Sequence, residues 1–187
     1  MTKVTLLGDS IRLGYGKIVP QMLGEDYIVF QPEDNCRFAK YTLRGLFSWS
    51  AGIEGSDIIH WNNGLWDVTT CVDGNPFSDK DEYVKTMVRI GKLLKERAKE
   101  VIFATTTAVN DEGNPYDKNF RIEEYNEAVV PELKKLGIRI NDLYSVVQPN
   151  IDKYVSADCL HMNEEGYNAL AKQVVEAIKD AEKAFKE

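Results

Sequence analysis

The sequence predicts an α/β fold: a parallel sheet of about five strands, ordered 2-1-3-4-5, with helices on both faces. Three observations lead there. Short apolar runs alternate with longer stretches of helical periodicity along all 187 residues. No two runs are joined by a hairpin turn, so successive strands must be connected by crossovers. The first run, Val4 to Leu7, stops at Gly8-Asp9-Ser10, which presents a Ser where a helix begins. Such a hydroxyl sits at the carboxyl edge of the sheet, where open α/β sheets place their ligands.

Each element follows in order. After Ser10, the residues Ile11, Tyr15, Ile18, Val19, Met22 and Leu23 recur at helical spacing, weakened by Gly14, Gly16 and Pro20. Tyr27 to Phe30 is the second strand, closed by Pro32. Leu43, Leu46 and Phe47 mark a helix from Ala39 to about Ser50, which Gly52 and Gly55 stop. Asp57 to Trp61 is the third strand, and a Gly-, Asn- and Asp-rich loop runs from Asn62 to Phe77. Ser78 with Asp81 forms a capping-box pattern for a helix with Tyr83, Met87, Ile90 and Leu94 on its apolar face. Val101 to Thr105 is the fourth strand. The helix through Ile122, Tyr125, Val129, Leu133 and Leu136 should be kinked or split at Pro131. Ile138 to Ile140 is the fifth strand. Asn163 is the expected N-cap of a last helix that buries Tyr167, Leu170, Val174, Ile178, Ala181 and Phe185.

Residues 1–187 fit one domain, and 43% hydrophobic composition suffices for a single core. The net charge of −7 offers no basic surface to a phosphate backbone. Nucleic acid and anionic membranes are therefore poor partners; a small soluble molecule is the better expectation, with the oligomeric state left open. The first residues lack the apolar length of a signal peptide or a membrane span, which points to the cytoplasm. Cys36, Cys71 and Cys159 are odd in number and widely spaced, so neither a disulfide framework nor a zinc site is indicated.

The search for a general base is short because the chain has two histidines. His60 lies inside the run Ile58-Ile59-His60-Trp61, which suits a buried, hydrogen-bonded structural imidazole. His161 lies in a loop that leads into the last helix, with Asp158 three residues earlier. One tight turn brings that carboxylate to Nδ1 and leaves Nε2 free to deprotonate a Ser. The Gly-x-Ser-x-Gly elbow of ordinary α/β-hydrolases is excluded, because Arg12 stands where its second Gly belongs.

Gly8-Asp9-Ser10, with Ile11 and Gly14, resembles the first block of the GDSL or SGNH hydrolases, and Asp158-Cys159-Leu160-His161 resembles their last block. The resemblance implies a flavodoxin-like three-layer fold and a metal- and cofactor-free Ser-His-Asp esterase or acylhydrolase mechanism. By carry-over Ser10 is the nucleophile, His161 the general acid/base and Asp158 its orienting carboxylate. The middle blocks depart from the pattern. Aligning the third block on the strand puts Trp66 where the family has its oxyanion Asn, leaving Asn63 or Asn62 as substitutes, or as residues that merely hold the loop. Counting from Asn35, the Gly of the second block falls at Lys40. The Ser10 amide is the remaining expected donor to the oxyanion.

Trp66, in a loop, is a candidate substrate wall, whereas Trp61 belongs to the core. Of Arg12, Arg37 and Arg44, one is placed to clamp a carboxylate or sugar hydroxyl, the alternative being an internal ion pair or solvated surface. Asp9 adjoins the nucleophile as a further contact, although Asp9 and Asp67 also suit holding loop backbones. The expected function is cleavage of a small carboxylic ester through an acyl-enzyme, with a short acyl group such as O-acetyl on a carbohydrate. The alternatives are a lysophospholipase- or thioesterase-type acylhydrolase, or a ligand-binding domain without catalysis.

Overall fold

The computed structural model describes residues 1–186. Five parallel strands pair in the order β2-β1-β3-β4-β5. They are β1 (Thr2–Leu7), β2 (Tyr27–Phe30), β3 (Ser56–Trp61), β4 (Ala98–Ala104) and β5 (Arg139–Asn141). The central pair explains itself: Val4, Leu6 and Leu7 of β1 and Ile58, Ile59 and Trp61 of β3 are all buried, as strands covered on both faces require. Each such side chain contributes about 1.5–3 kcal/mol by leaving water.

Register fixes the functional edge. Leu7 lies opposite Trp61, Trp61 opposite Phe103, and Ala104 opposite Asn141. The carboxyl ends of β1, β3, β4 and β5 therefore come level, and the loops that leave them share one rim.

Between Ser10 and Leu23 the chain forms two short helices, α1 (Ser10–Tyr15) and α2 (Val19–Leu23), because the Gly and Pro residues interrupt a longer one. The long helix α3 (Ala39–Ser48) is followed by a single turn, α4 (Ser50–Ile53). The loop expected from 62 to 77 contains another short helix, α5 (Leu65–Val68), and an antiparallel bridge between Thr70 and Pro76.

Helix α6 (Lys80–Lys95) starts one residue later than the capping-box pattern implies. Its N-cap is Asp79, whose carboxylate accepts from the amides of Asp81 and Glu82, while the Ser78 hydroxyl donates inward to Asp67 at 2.6 Å. A buried carboxylate binds the hydroxyl more strongly than an exposed helix end does. Helix α7 (Asn119–Lys135) runs through Pro131 without a break. Pro131 and Glu127, whose carbonyl loses an amide partner, both lie on the exposed side, so the lost bond is left to solvent.

From residue 144 to 154 the chain forms α8 (Tyr144–Val147), a 3-10 turn and α9 (Ile151–Tyr154), none of which has a sequence period long enough to announce it. The last helix, α10 (Glu164–Lys186), is capped by Asn163, whose side chain accepts from the Gly166 amide at 2.9 Å. It buries Leu170, Val174, Ile178 and Ala181; Tyr167 and Phe185 pack partly buried at its two ends. Helix α10 contacts α1 and α2, and α6 contacts α3 and α7, giving the two outer layers.

Candidate active site

The loop after β1 turns tightly under Asn62. A Cβ on Gly8 would come 2.0 Å from the Asn62 side-chain oxygen and 2.7 Å from the Arg12 Cβ, so only glycine fits. Asp9 then caps α1, accepting from the Ile11 amide at 3.0 Å, and Ser10 is the first helical residue. Its hydroxyl stands at the carboxyl edge of the sheet, and its amide is one of the unpaired donors of a helix start.

The opposing group comes from the loop ahead of α10. There Cys159 adopts φ 64°, a left-handed conformation that closes the turn, with the Cys159 amide donating to Ser156 and the Ser156 amide to His161. One oxygen of Asp158 accepts from the amides of Leu160 and His161 and from the Ser156 hydroxyl, at 2.8–2.9 Å. Its other oxygen lies 2.7 Å from His161 Nδ1. Partial burial works to raise the Asp158 carboxyl, but these four donors outweigh it and hold the group far below the usual carboxylate range. A carboxylate so held accepts from Nδ1–H, which leaves the lone pair of His161 on Nε2, 2.8 Å from Ser10 Oγ. The structure thus brings together the three residues expected to form a triad.

A cavity of about 420 Å³ opens beside this pair, walled by Leu65, Trp66, Tyr116 and Leu160, with Asn35, Thr69 and Asp117 among its polar lining. Trp66 is therefore next to the reacting pair. Other expected site residues are not. Lys40 lies in α3 and pairs with Glu82 at 2.5 Å, away from the cavity. Asn35, five residues earlier, lines it instead. Counting forward from Asn35 overshot, because the chain passes the site before α3 begins.

Asn62 and Asn63 also lie outside the cavity lining. The Asn62 amide donates to Asp9 at 2.9 Å, and its oxygen accepts from Tyr15 at 3.0 Å. Asn63 donates to the Arg37 carbonyl and accepts from the Trp61 indole, both at 2.7 Å. Both side chains are spent on internal bonds and hold loops rather than facing a substrate. By contrast, the backbone amides of Ser10 and Asn35 have no acceptor among the described residues.

Arg12 does not clamp a substrate either. It is 1% exposed, and its guanidinium donates to the carbonyls of Gly8, Pro32 and Asp34. It ties the segment carrying Asn35 to the end of β1. Asp9 is equally buried and faces inward, its carboxyl pushed up by burial against the pull of the Asn62 and Ile11 donors. Asp67 accepts from the Ala39 amide at 3.0 Å and from Ser78, and burial raises it to about 6.

Behind the site runs a buried polar chain that no sequence period signals. Gln173 donates to Asn141, Asn141 meets His60 Nε2 at 3.1 Å, and His60 Nδ1 lies 3.4 Å from the Tyr15 hydroxyl, which donates to Asn62. Burial lowers His60 to about 3, so it is neutral at pH 7. Among the described residues no cluster of three His, Cys, Asp or Glu side chains offers a metal site. No helix there is long and apolar enough to cross a membrane.

Solved structures share this architecture. A lipase/acylhydrolase from Enterococcus faecalis superposes with a TM-score of 0.81 at 22% identity, covering 96% of each chain. A GDSL-like lipase from Bacteroides thetaiotaomicron does so at 0.74 and 18%, covering 96% of this chain and 89% of its own. These likenesses show the fold that the sequence resemblance implies. An acetyl xylan esterase, AlAXEase, superposes at 0.74 with 18% identity over 94% of this chain and 99% of its own. By sequence, the chain is 24% identical over 163 residues to the GDSL esterase/lipase WDL1 of Oryza sativa subsp. japonica, covering 79% of this chain. It spans 63% of the length of that relative. No family model matches the sequence.

Proposed function

We propose that this protein hydrolyses small carboxylic esters through an acyl-enzyme on Ser10. The observation that carries the reading is the continuous line Asp158–His161–Ser10, with contacts of 2.7 and 2.8 Å. His161 Nε2 takes the Ser10 proton as Oγ attacks the ester carbonyl, then returns it to the departing alcohol. A water, deprotonated by the same nitrogen, attacks the acyl-enzyme and frees the acid and Ser10.

The unpaired amides of Ser10 and Asn35 are the donors for the tetrahedral oxyanion, in place of the family's Asn side chain. The substrate is an O-acetylated carbohydrate. The aromatic walls beside Ser10 and the likeness in fold to an acetyl xylan esterase support that choice. The three free cysteines support a cytoplasmic location.

The test is turnover of para-nitrophenyl acetate and octanoate by the wild type, Ser10→Ala and His161→Ala. Preference for acetate with both variants inactive is expected. Equal activity in all three would remove Ser10 and His161 from the chemistry, and a preference for octanoate would favour the lipid-type acylhydrolase.

A further inference from the structure

Within the cavity beside Ser10, one group is out of character. Asp117 is 5% exposed yet lines a space otherwise bounded largely by Leu65, Trp66, Tyr116 and Leu160. The carboxylate is held rigidly. Thr69 donates to one oxygen at 2.5 Å, the Asn114 amide to the other at 3.1 Å, and the Asp117 backbone amide donates back to Asn114. Two side-chain donors occupy only part of what a carboxylate accepts, since its two oxygens offer about four lone-pair sites.

A substrate that fills the cavity strips water from the remaining sites. An alkyl or long acyl group would leave them unpaired, a penalty that a site built for hydroxyls imposes on any ligand lacking one. A sugar or other polyol supplies the missing donor. Trp66 and Tyr116, 42% and 61% exposed, line the same cavity and supply aromatic surface for the apolar side of the same sugar.

We infer that Asp117 is a specificity-determining residue that selects esters whose alcohol carries a free hydroxyl near the scissile bond. This rests on the ester-hydrolase reading above. Thr69 and Asn114 position the carboxylate, and Asp117 itself contacts substrate.

The experiment compares three acetates: a monoacetylated methyl xyloside, the same compound with its remaining hydroxyls O-methylated, and para-nitrophenyl acetate. Wild type should favour the free-hydroxyl xyloside over its methylated form by about ten- to a hundredfold in kcat/KM, the worth of one hydrogen bond to a charged acceptor. Asp117→Asn should erase that preference, the free-hydroxyl xyloside losing at least about tenfold more in kcat/KM than the methylated xyloside or para-nitrophenyl acetate. Equal wild-type rates on the two xylosides would overturn the inference without any variant. A uniform fall on all three acetates in Asp117→Asn would also overturn it, by showing that the residue only holds its loop. If wild type cleaved para-nitrophenyl acetate but neither xyloside, the esterase reading would stand and this inference would fall. Inactivity on all three would sink both.

Discussion

Arg12→Met separates a buried clamp from a substrate contact. In the structure the Arg12 guanidinium is the hydrogen-bond partner of the Pro32 carbonyl at 2.9 Å and of the Asp34 carbonyl at 2.7 Å. The Gly8 carbonyl keeps a second partner, the Cys36 amide at 3.0 Å, and is not stranded. Methionine fills similar volume but donates nothing, so the buried Pro32 carbonyl and the partly buried Asp34 carbonyl lose this partner at about 1–3 kcal/mol each. The expected loss is about 4 kcal/mol, a large share of the roughly 5–15 kcal/mol that holds a domain together. At about 2–4 °C per kcal/mol for this size, the melting temperature should fall by about 8–16 °C.

Urea unfolding followed by circular dichroism should show a lower midpoint with an unchanged slope. Because the freed segment carries Asn35, kcat should fall too, while KM moves little. Wild-type stability with a raised KM alone would refute the clamp and restore Arg12 as a substrate contact.

Other outcomes follow from the same geometry. Asp158→Asn should lower kcat about a hundredfold or more, short of the ~10⁴ seen where the triad carboxylate is fully buried, since half of this side chain is exposed; kinetics at pH 8 checks it. Asn35→Gly keeps the backbone donor and should retain activity within a few-fold. Asn35→Pro removes the amide and should cost about a hundredfold in kcat, with thermal melts confirming that both variants fold. Lys40→Ala should leave kcat/KM within about twofold, because its partner Glu82 is an exposed surface residue.

The pH dependence of stability has a defined sign at His60. Its folded value of about 3 lies below the ordinary 6.5, so its contribution is fully present above pH 6.5 and is lost as pH falls toward 3. The ceiling on that loss is about 5 kcal/mol, from 3.5 units at 1.36 kcal/mol each. Asp67 acts in the opposite direction, favouring the folded state at low pH and losing that contribution as pH rises through about 6. His60→Gln should flatten the acid limb of a urea-midpoint profile between pH 7 and 4, and an unchanged limb would contradict a buried neutral imidazole.

The strand order and the triad were legible because each rests on local sequence. Apolar runs such as Ile58–Trp61 define strands by themselves, and Asp158 and His161 are joined by a single turn. The fate of Arg12 was not legible. An arginine in the first turn of a helix looks solvated until the β2–α3 connection folds over it, and that closure depends on Arg37 adopting φ 47°, which no residue preference announces. The same closure hides Asn35, whose proposed contribution lies in its backbone. Asn62 and Asn63 carry the right chemistry at the right strand end, yet Asp9, Tyr15, Trp61 and the Arg37 carbonyl claim their side chains. Competition from buried partners far apart in sequence is invisible to spacing alone. Asp117 was missed for a related reason: its loop is polar throughout, and only folding puts one of those carboxylates beside Ser10.

The most direct measurement is mass spectrometry of the protein after reaction with a fluorophosphonate. A nucleophile activated by His161 should give one adduct, on the peptide bearing Ser10, absent in Ser10→Ala and slowed at least a hundredfold in His161→Ala. An unlabelled wild type, or an adduct on any other residue, would contradict the account.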